Sequence, residues 1–325
     1  MLAKRISLKV LLVIVFSLCV LSANAQEFPV RPIRVVVPWP PSGTVDILAR
    51  PLTQRLSELT GQSVIVDNRP GANSILGSEI VAKALPDGYT LLLDNVTGHA
   101  INATLYKTLP FKSVRDFAPV ALLASVTNLL VVTPSLGWKS VKDVIAAAKS
   151  KRGQVNYASF GAGSTAHLAG ELFKSHAGID IVHVPYKGGA PALIDVMAGR
   201  ASLMFATLPS ALGFVKGGRL VAIATTGLKR SPATPDVPTV AESGLPGFEA
   251  TTWYGALLPA KTPPKVVQSL HDRLVSIVNE PQMHDRLAQL GFEAHTSSSE
   301  EMSRHLKEET VKWGKVVKSS GAQLD

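Results

Sequence analysis

Apolar positions along the chain follow two alternating rhythms. Short β-branched runs at residues 33–37, 63–66 and 89–93 are separated by stretches in which apolar residues recur at spacings of three and four. Val45, Leu48, Leu52, Leu56 and Leu59 form one such stripe, closed by Gly61, and predict an amphipathic helix. Pro51 lies inside that stripe, where proline costs ~3 kcal/mol, so a kink or a broken first turn is expected. A turn at Asn68, Arg69, Pro70 and Gly71 leads to a predicted helix over residues 75–85, and Pro86, Asp87 and Gly88 deliver the next strand. A second set opens near residues 129–133. It continues with a helix over 141–149, a strand over 155–159, a helix over 165–176, a strand over 181–184, a helix over 191–198 and strands over 202–206 and 220–225. The alternation predicts an α/β fold with a largely parallel sheet.

Residues 129–149 and 254–274 share one plan: apolar strand, proline-rich turn, amphipathic helix. They read as two crossings between domains. Residues 26–125 and 251–325 are then a discontinuous first domain and residues 126–250 a continuous second one, hinged near 125 and 250. The first 25 residues read as a cleavable secretory signal, because Lys4, Arg5 and Lys9 precede an apolar run at 10–21 and Ala23-Asn24-Ala25 supplies a cleavage site. Cys19 is the only cysteine and lies in this segment, so disulfides, thiol catalysis and cysteine metal sites are not expected in the mature protein. Cleavage also lowers the formal charge from +9 to +6, since the segment carries three basic residues and no acidic ones. Only Lys312, Lys315 and Lys318 cluster, at the spacing of a solvated helix face, so nucleic acid is not an expected partner. No two histidines sit three or four apart and His-Glu-x-x-His is missing, so no metal is expected.

The stretch NYASFGAGSTAHLAG (residues 156–170) fits three templates. Gly161, Gly163 and Ala166 satisfy the dinucleotide fingerprint, but the following strand runs into residues 184–189 without the carboxylate that holds a ribose, so no nucleotide cofactor is expected. Ser164 sits in a small-residue version of the nucleophile elbow, which leaves a secreted serine hydrolase as an alternative. His183, His271, His284, His295 and His305 are its nominal bases, none in a characteristic context. His271 and His284 fit exposed helix positions, and His295 and His305 lie within or beside the polar stretch 296–302, which reads as a loop before the last helix. The third template is an anion cradle: a strand, a glycine-rich turn, then a helix whose first N–H groups lack intrahelical partners. Gly161 and Gly163 permit close backbone approach, and Ser164 or Thr165 caps the helix or donates to the anion. Residues 38–44, Pro-Trp-Pro-Pro-Ser-Gly-Thr, repeat the design. Asp46 in the next turn reads as a capping residue rather than a ligand group.

Eight segments in order carry a family resemblance: PWPPSGTVDILAR (38–50), VDNRPGANSILG (66–77), PDGYTLLL (86–93), HAINATLY (99–106), FAPVALL (117–123), NYASFGAGSTAHLAGELF (156–173), VPYKGGAPALIDVMAG (184–199) and PDVPTVAESGLPGFEA (235–250). Together they resemble the Bug-type periplasmic solute-binding proteins, receptors of tripartite tricarboxylate transporters. The resemblance implies a two-domain Venus-flytrap fold of type II with the ligand cleft between the domains. It implies a monomeric, cofactor-free receptor, not an enzyme, that delivers a small carboxylate to membrane permease subunits; a ligand-presenting partner of a sensor kinase is a second alternative. Carried onto this chain, the ligand positions are Trp39, Ser42, Gly43 and Thr44 in the first loop, Gly163, Ser164 and Thr165 in the second, and Asn95 and Thr97 after a strand. Asp195 is either a water-holding residue or an ordinary helix-surface acid. Two departures matter: Ser42-Gly43 stands where the family commonly has Gly-Gly, and Ala206-Thr207 where it often has Asp-Asn. The second places a hydroxyl at Thr207 and removes a partner for a ligand amine, which favours a dicarboxylate or an aromatic carboxylate over an amino acid.

Overall fold

The computed structural model describes residues 28–320. The expected signal segment and Cys19 lie outside the described residues. Strands β1 (Ile33–Val37), β2 (Val64–Asn68) and β3 (Thr90–Asn95) pair in parallel in the order β2-β1-β3. β4 (Phe117–Val132) is the longest strand and the structural bridge. Its residues up to Thr127 pair antiparallel with β9 (Thr251–Pro259), which also pairs with β3. From Asn128 onward it pairs instead with β7 (Leu203–Thr207) and β8 (Val221–Thr225). β5 (Asn156–Ser159) lies parallel to β7, and β6 (Val182–Pro185) closes that edge parallel to β5. β10 (Glu293–Ala294) adds a two-residue ladder on β4. The chain thus enters the second half of the molecule at residues 127–128 and leaves it where β9 begins.

Side chains alternate across these strands as a pleated backbone requires. Val35 and Val37 join one buried cluster and Val36 the cluster on the opposite face; Leu91, Leu92 and Leu93 divide likewise. In the second half, Leu130 and Val132 face one core while Leu129 and Val131 face the other. With helices covering both faces, the strands read as nearly continuous apolar runs.

Four expectations need correction. The sheet is mixed rather than largely parallel: β4 and β9, the strands that cross between the halves, run antiparallel to every strand they pair with. The helix Thr44–Thr60 runs unbroken through Pro51, which is itself buried. Packing of Leu48, Leu52 and Leu56 against the sheet offsets the lost backbone hydrogen bond. β4 begins at Phe117 rather than near residue 129, because Pro119 sits beside a register shift between Pro119 and Ala121 that absorbs its missing donor. Residues 299–302 are not loop but the first turn of the helix Ser299–Ser320, with Met302 fully buried. No described helix is long and apolar enough to cross a membrane.

Candidate ligand site

Where the two halves meet they enclose a cavity of about 290 Å³. That is near the lower end of the ~300–1,000 Å³ of small-molecule sites. Four helices begin at its wall: Thr44–Thr60, Thr165–Ala177, Gly189–Met197 and Leu208–Lys216. Their N-caps Gly43, Ser164, Gly188 and Thr207 all line the cavity. Each end carries N–H groups without intrahelical acceptors and the positive pole of a helix dipole. Only Ser164 uses its side chain as a cap, accepting from the His167 N–H at 3.4 Å. The Thr207 hydroxyl meets the Thr44 hydroxyl of the other half at 2.6 Å and Ser210 at 2.8 Å. Tyr254 reaches the cavity from β9; its hydroxyl is fully buried, with the Thr44 hydroxyl as its polar neighbour, and can turn to donate to a ligand in the cavity.

Nine of the eleven positions inferred from sequence line this cavity: Trp39, Ser42, Gly43, Thr44, Asn95, Thr97, Ser164, Thr165 and Thr207. Gly163 and Asp195 do not. Gly163 has φ +77°, gives its N–H to His167 Nδ1 at 2.9 Å, and abuts Leu105 of the other half so closely that any Cβ would overlap that side chain. Its smallness serves the meeting of the halves rather than the ligand. Asp195 is held by Arg200 at 2.8 Å and by the Tyr186 hydroxyl at 2.7 Å, so it anchors the turn after β6. Arg200 and then Tyr186 keep its carboxyl below the ordinary aspartate range. Ser42 has φ +63°, a left-handed conformation that suits glycine, which gives the family's usual Gly-Gly a backbone reason. Its N–H donates to Asp46 at 2.9 Å. Burial alone would raise the Asp46 pKa, but hydrogen bonds from Arg50, Ser42 and Asn68 outweigh it and hold the carboxyl low. That charge faces Arg50, not the cavity.

Sequence reasoning missed Phe160, Lys187, Leu193, Ile194, Phe214 and Tyr254, which come from five different segments and converge only through the fold. The paired glycines of VPYKGG, another strand-to-helix turn, were the one available signal for Lys187.

Behind each loop lies a buried polar support. The Trp39 indole N–H donates to Asp94 at 2.7 Å, and Ser78 donates to the same carboxylate at 3.3 Å. Burial pushes Asp94 up to about 7, against the pull of the Trp39 hydrogen bond. Its neighbour His99 is 3.6 Å away, beyond hydrogen-bond distance, and burial drives it down to about 3, so it is neutral. Under the second loop, His167 and His183 stack with ring centroids 3.9 Å apart. Desolvation, then the charge of His167, pushes His183 down to about 3. His183 Nε2 lies 2.7 Å from Ser159 Oγ, while Ser164 Oγ donates to the Gly161 carbonyl at 2.7 Å. Ser164 therefore has no histidine base, and its hydroxyl is committed to the turn. Among the described residues there is no group of acids, histidines or cysteines able to hold a metal ion.

The second loop is also tied to the other half, through the turn after β2. Asn73 Nδ2 donates to the Ala162 carbonyl at 2.5 Å from a run of three left-handed residues, Ala72, Asn73 and Ser74. Each such residue costs ~1–2 kcal/mol, strain that the interlobe contact helps retain. Asn73→Ala is expected to weaken ligand affinity about fivefold by loosening the contact between the halves, read by calorimetric titration; unchanged affinity would mean that this tie does not support the cavity.

Residues 48–322 match the tripartite tricarboxylate transporter family receptor. A protein from the tcbD-tcbE intergenic region of Pseudomonas sp. strain P51 is 39% identical over 95% of this chain and 93% of its own length. BugT of Bordetella pertussis is 34% identical, covering 93% of each chain. Among solved structures, Rpa4515 of R. palustris with adipate superposes with a TM-score of 0.88 at 38% identity, over 91% of this chain and 99% of that one. MatC from Rhodopseudomonas palustris with bound malate gives 0.83 at 30% identity, over 89% and 100%.

Proposed function

The chain belongs to the tripartite tricarboxylate transporter receptor family, and from that premise we propose that it captures a small carboxylate in the cavity between its halves and delivers it to a membrane permease. Four helix N-termini facing one cavity whose lining contains no carboxylate side chain carry this reading. Such a lining favours an anion and offers no carboxylate to pair with an amine. Apolar walls from Trp39, Phe160, Leu193 and Phe214 favour a dicarboxylate with a methylene body, or an aromatic carboxylate, over an amino acid. Relatives solved with adipate and malate support the class. The protein acts as a periplasmic monomer. It opens and closes about the crossings at β4 and β9, and Trp39, Thr44, Thr165, Thr207 and Tyr254 contact the ligand.

Micromolar affinity corresponds to ~8 kcal/mol. Three or four hydrogen bonds to a charged group, at ~1.5–3 kcal/mol each, reach that scale before immobilisation costs are subtracted. The test is calorimetric titration with short mono- and dicarboxylates, on wild type and Tyr254→Phe. Wild type should show saturable heat. The variant should bind ~10-fold more weakly while keeping the fold, since it loses a donor that faces the cavity. No saturable heat with any carboxylate would overturn the proposal.

A further inference from the structure

Among the described residues, Lys187 is the one formally charged residue lining the cavity. It is exposed, in the turn between β6 and the helix Gly189–Met197. It is not among the ion pairs formed by its neighbours, where Asp195 is already taken by Arg200. The turn that carries it is fixed from three sides. Gly188 N–H donates to the Phe160 carbonyl at 3.1 Å, Tyr186 N–H to the Ser159 carbonyl at 3.1 Å, and the Tyr186 hydroxyl to Asp195. Across the cleft, a Cβ on Gly188 would come within 3.6 Å of Pro40 in the first loop.

The lining is graded from inside to outside. Thr97, Thr165, Thr207 and Tyr254 are buried and carry hydroxyls. Phe160 and Phe214 are half-buried, and Lys187, Ala190 and Ile194 are exposed. A carboxylate held at the buried end therefore extends an apolar body toward a rim whose single fixed charge is positive.

We propose that Lys187 is a specificity-determining residue that selects ligands bearing a second anionic group at the rim, and rejects those ending in an ammonium. This rests on the carboxylate-receptor reading of the same cavity and adds the class of acid it prefers. The ammonium of Lys187 attracts a terminal carboxylate, is indifferent to a methyl, and repels an ammonium. The pair is solvent-exposed, so its contribution is modest and falls with salt.

The test uses two sets of acids matched in chain length: succinate, butyrate and 4-aminobutyrate; adipate, hexanoate and 6-aminohexanoate. For the length that fits, wild type should bind the dicarboxylate about fivefold more tightly than the monocarboxylate, and the amino acid more weakly still. Raising ionic strength from 20 to ~500 mM should shrink the first ratio toward one. Lys187→Met should bring the ratio of dicarboxylate to monocarboxylate affinity to one. Lys187→Glu should reverse the order in favour of the amino acid. If monocarboxylate and dicarboxylate bind equally to wild type, or if Lys187→Met leaves their ratio unchanged, the role of Lys187 is overturned while the receptor reading stands. If neither set gives saturable heat, both fall together.

Discussion

Gly163→Val is expected to raise the dissociation constant for any carboxylate at least ~100-fold, equivalent to ~2.7 kcal/mol, without unfolding either half. Gly163 abuts Leu105 across the junction, and a Cβ there would occupy the space of the leucine side chain. Leu105 is fully buried and belongs to the core of the first half, so it has little room to retreat. Leu168, from the helix that Ser164 caps, packs into that same core, which makes the junction a continuation of the interior. A branched side chain would hold the halves apart. Part of the loss comes from backbone strain, because φ +77° suits glycine and disfavours a β-branched residue. Adding Leu105→Ala separates the two effects: space at the junction should recover part of the affinity at some cost in stability, whereas strain alone would give no recovery. Titration calorimetry of the single and double variants reads the difference.

Trp39→Ala is expected to weaken binding ~30-fold, or about 2 kcal/mol, by removing an apolar wall of the cavity. Trp39→Phe keeps a ring and isolates the indole hydrogen bond to Asp94. Asp94 is fully buried with a pKa of about 7 against 3.8 for an ordinary aspartate. Its folded value is raised, so its contribution to stability is fully present below about pH 4 and lost as pH rises through about 7. Removing the indole donor takes away an interaction that pulls the value down, and pushes the folded pKa higher. The unfolding free energy of Trp39→Phe should therefore fall increasingly below wild type as pH rises from 6 to 9, reaching ~1.5–3 kcal/mol where Asp94 is ionised in wild type. A pH-independent difference would mean that Asp94 does not depend on the indole.

The same residues show why some of this was legible in the sequence. Residues 38–44 and 161–165 announced themselves because strand, glycine and helix-start signals are local, and each maps to a backbone feature that side-chain type dictates. Pro119 and the small residues of 117–127 hid half of β4, since a bulge that rescues a proline depends on its partner strand. Gly163 was assigned to the ligand because glycine in a loop signals close approach without revealing what approaches; here it is Leu105. Asp195 was left between two roles because its partners, Tyr186 and Arg200, meet it only through the turn and the helix end. Phe214 and Tyr254 reach the cavity from elements far apart in the chain, a convergence that no local pattern encodes.

The central claim is that amides at helix starts in both halves grip one carboxylate. A crystal structure of the complex with the tightest-binding carboxylate tests it directly. The expected result is a carboxylate group accepting hydrogen bonds, directly or through one water, from N–H groups of Thr44 or Val45 on one side and Thr165 on the other, with the Tyr254 hydroxyl donating to it. A ligand bound to one half alone, or outside this cavity and away from the Tyr254 hydroxyl, would contradict the account.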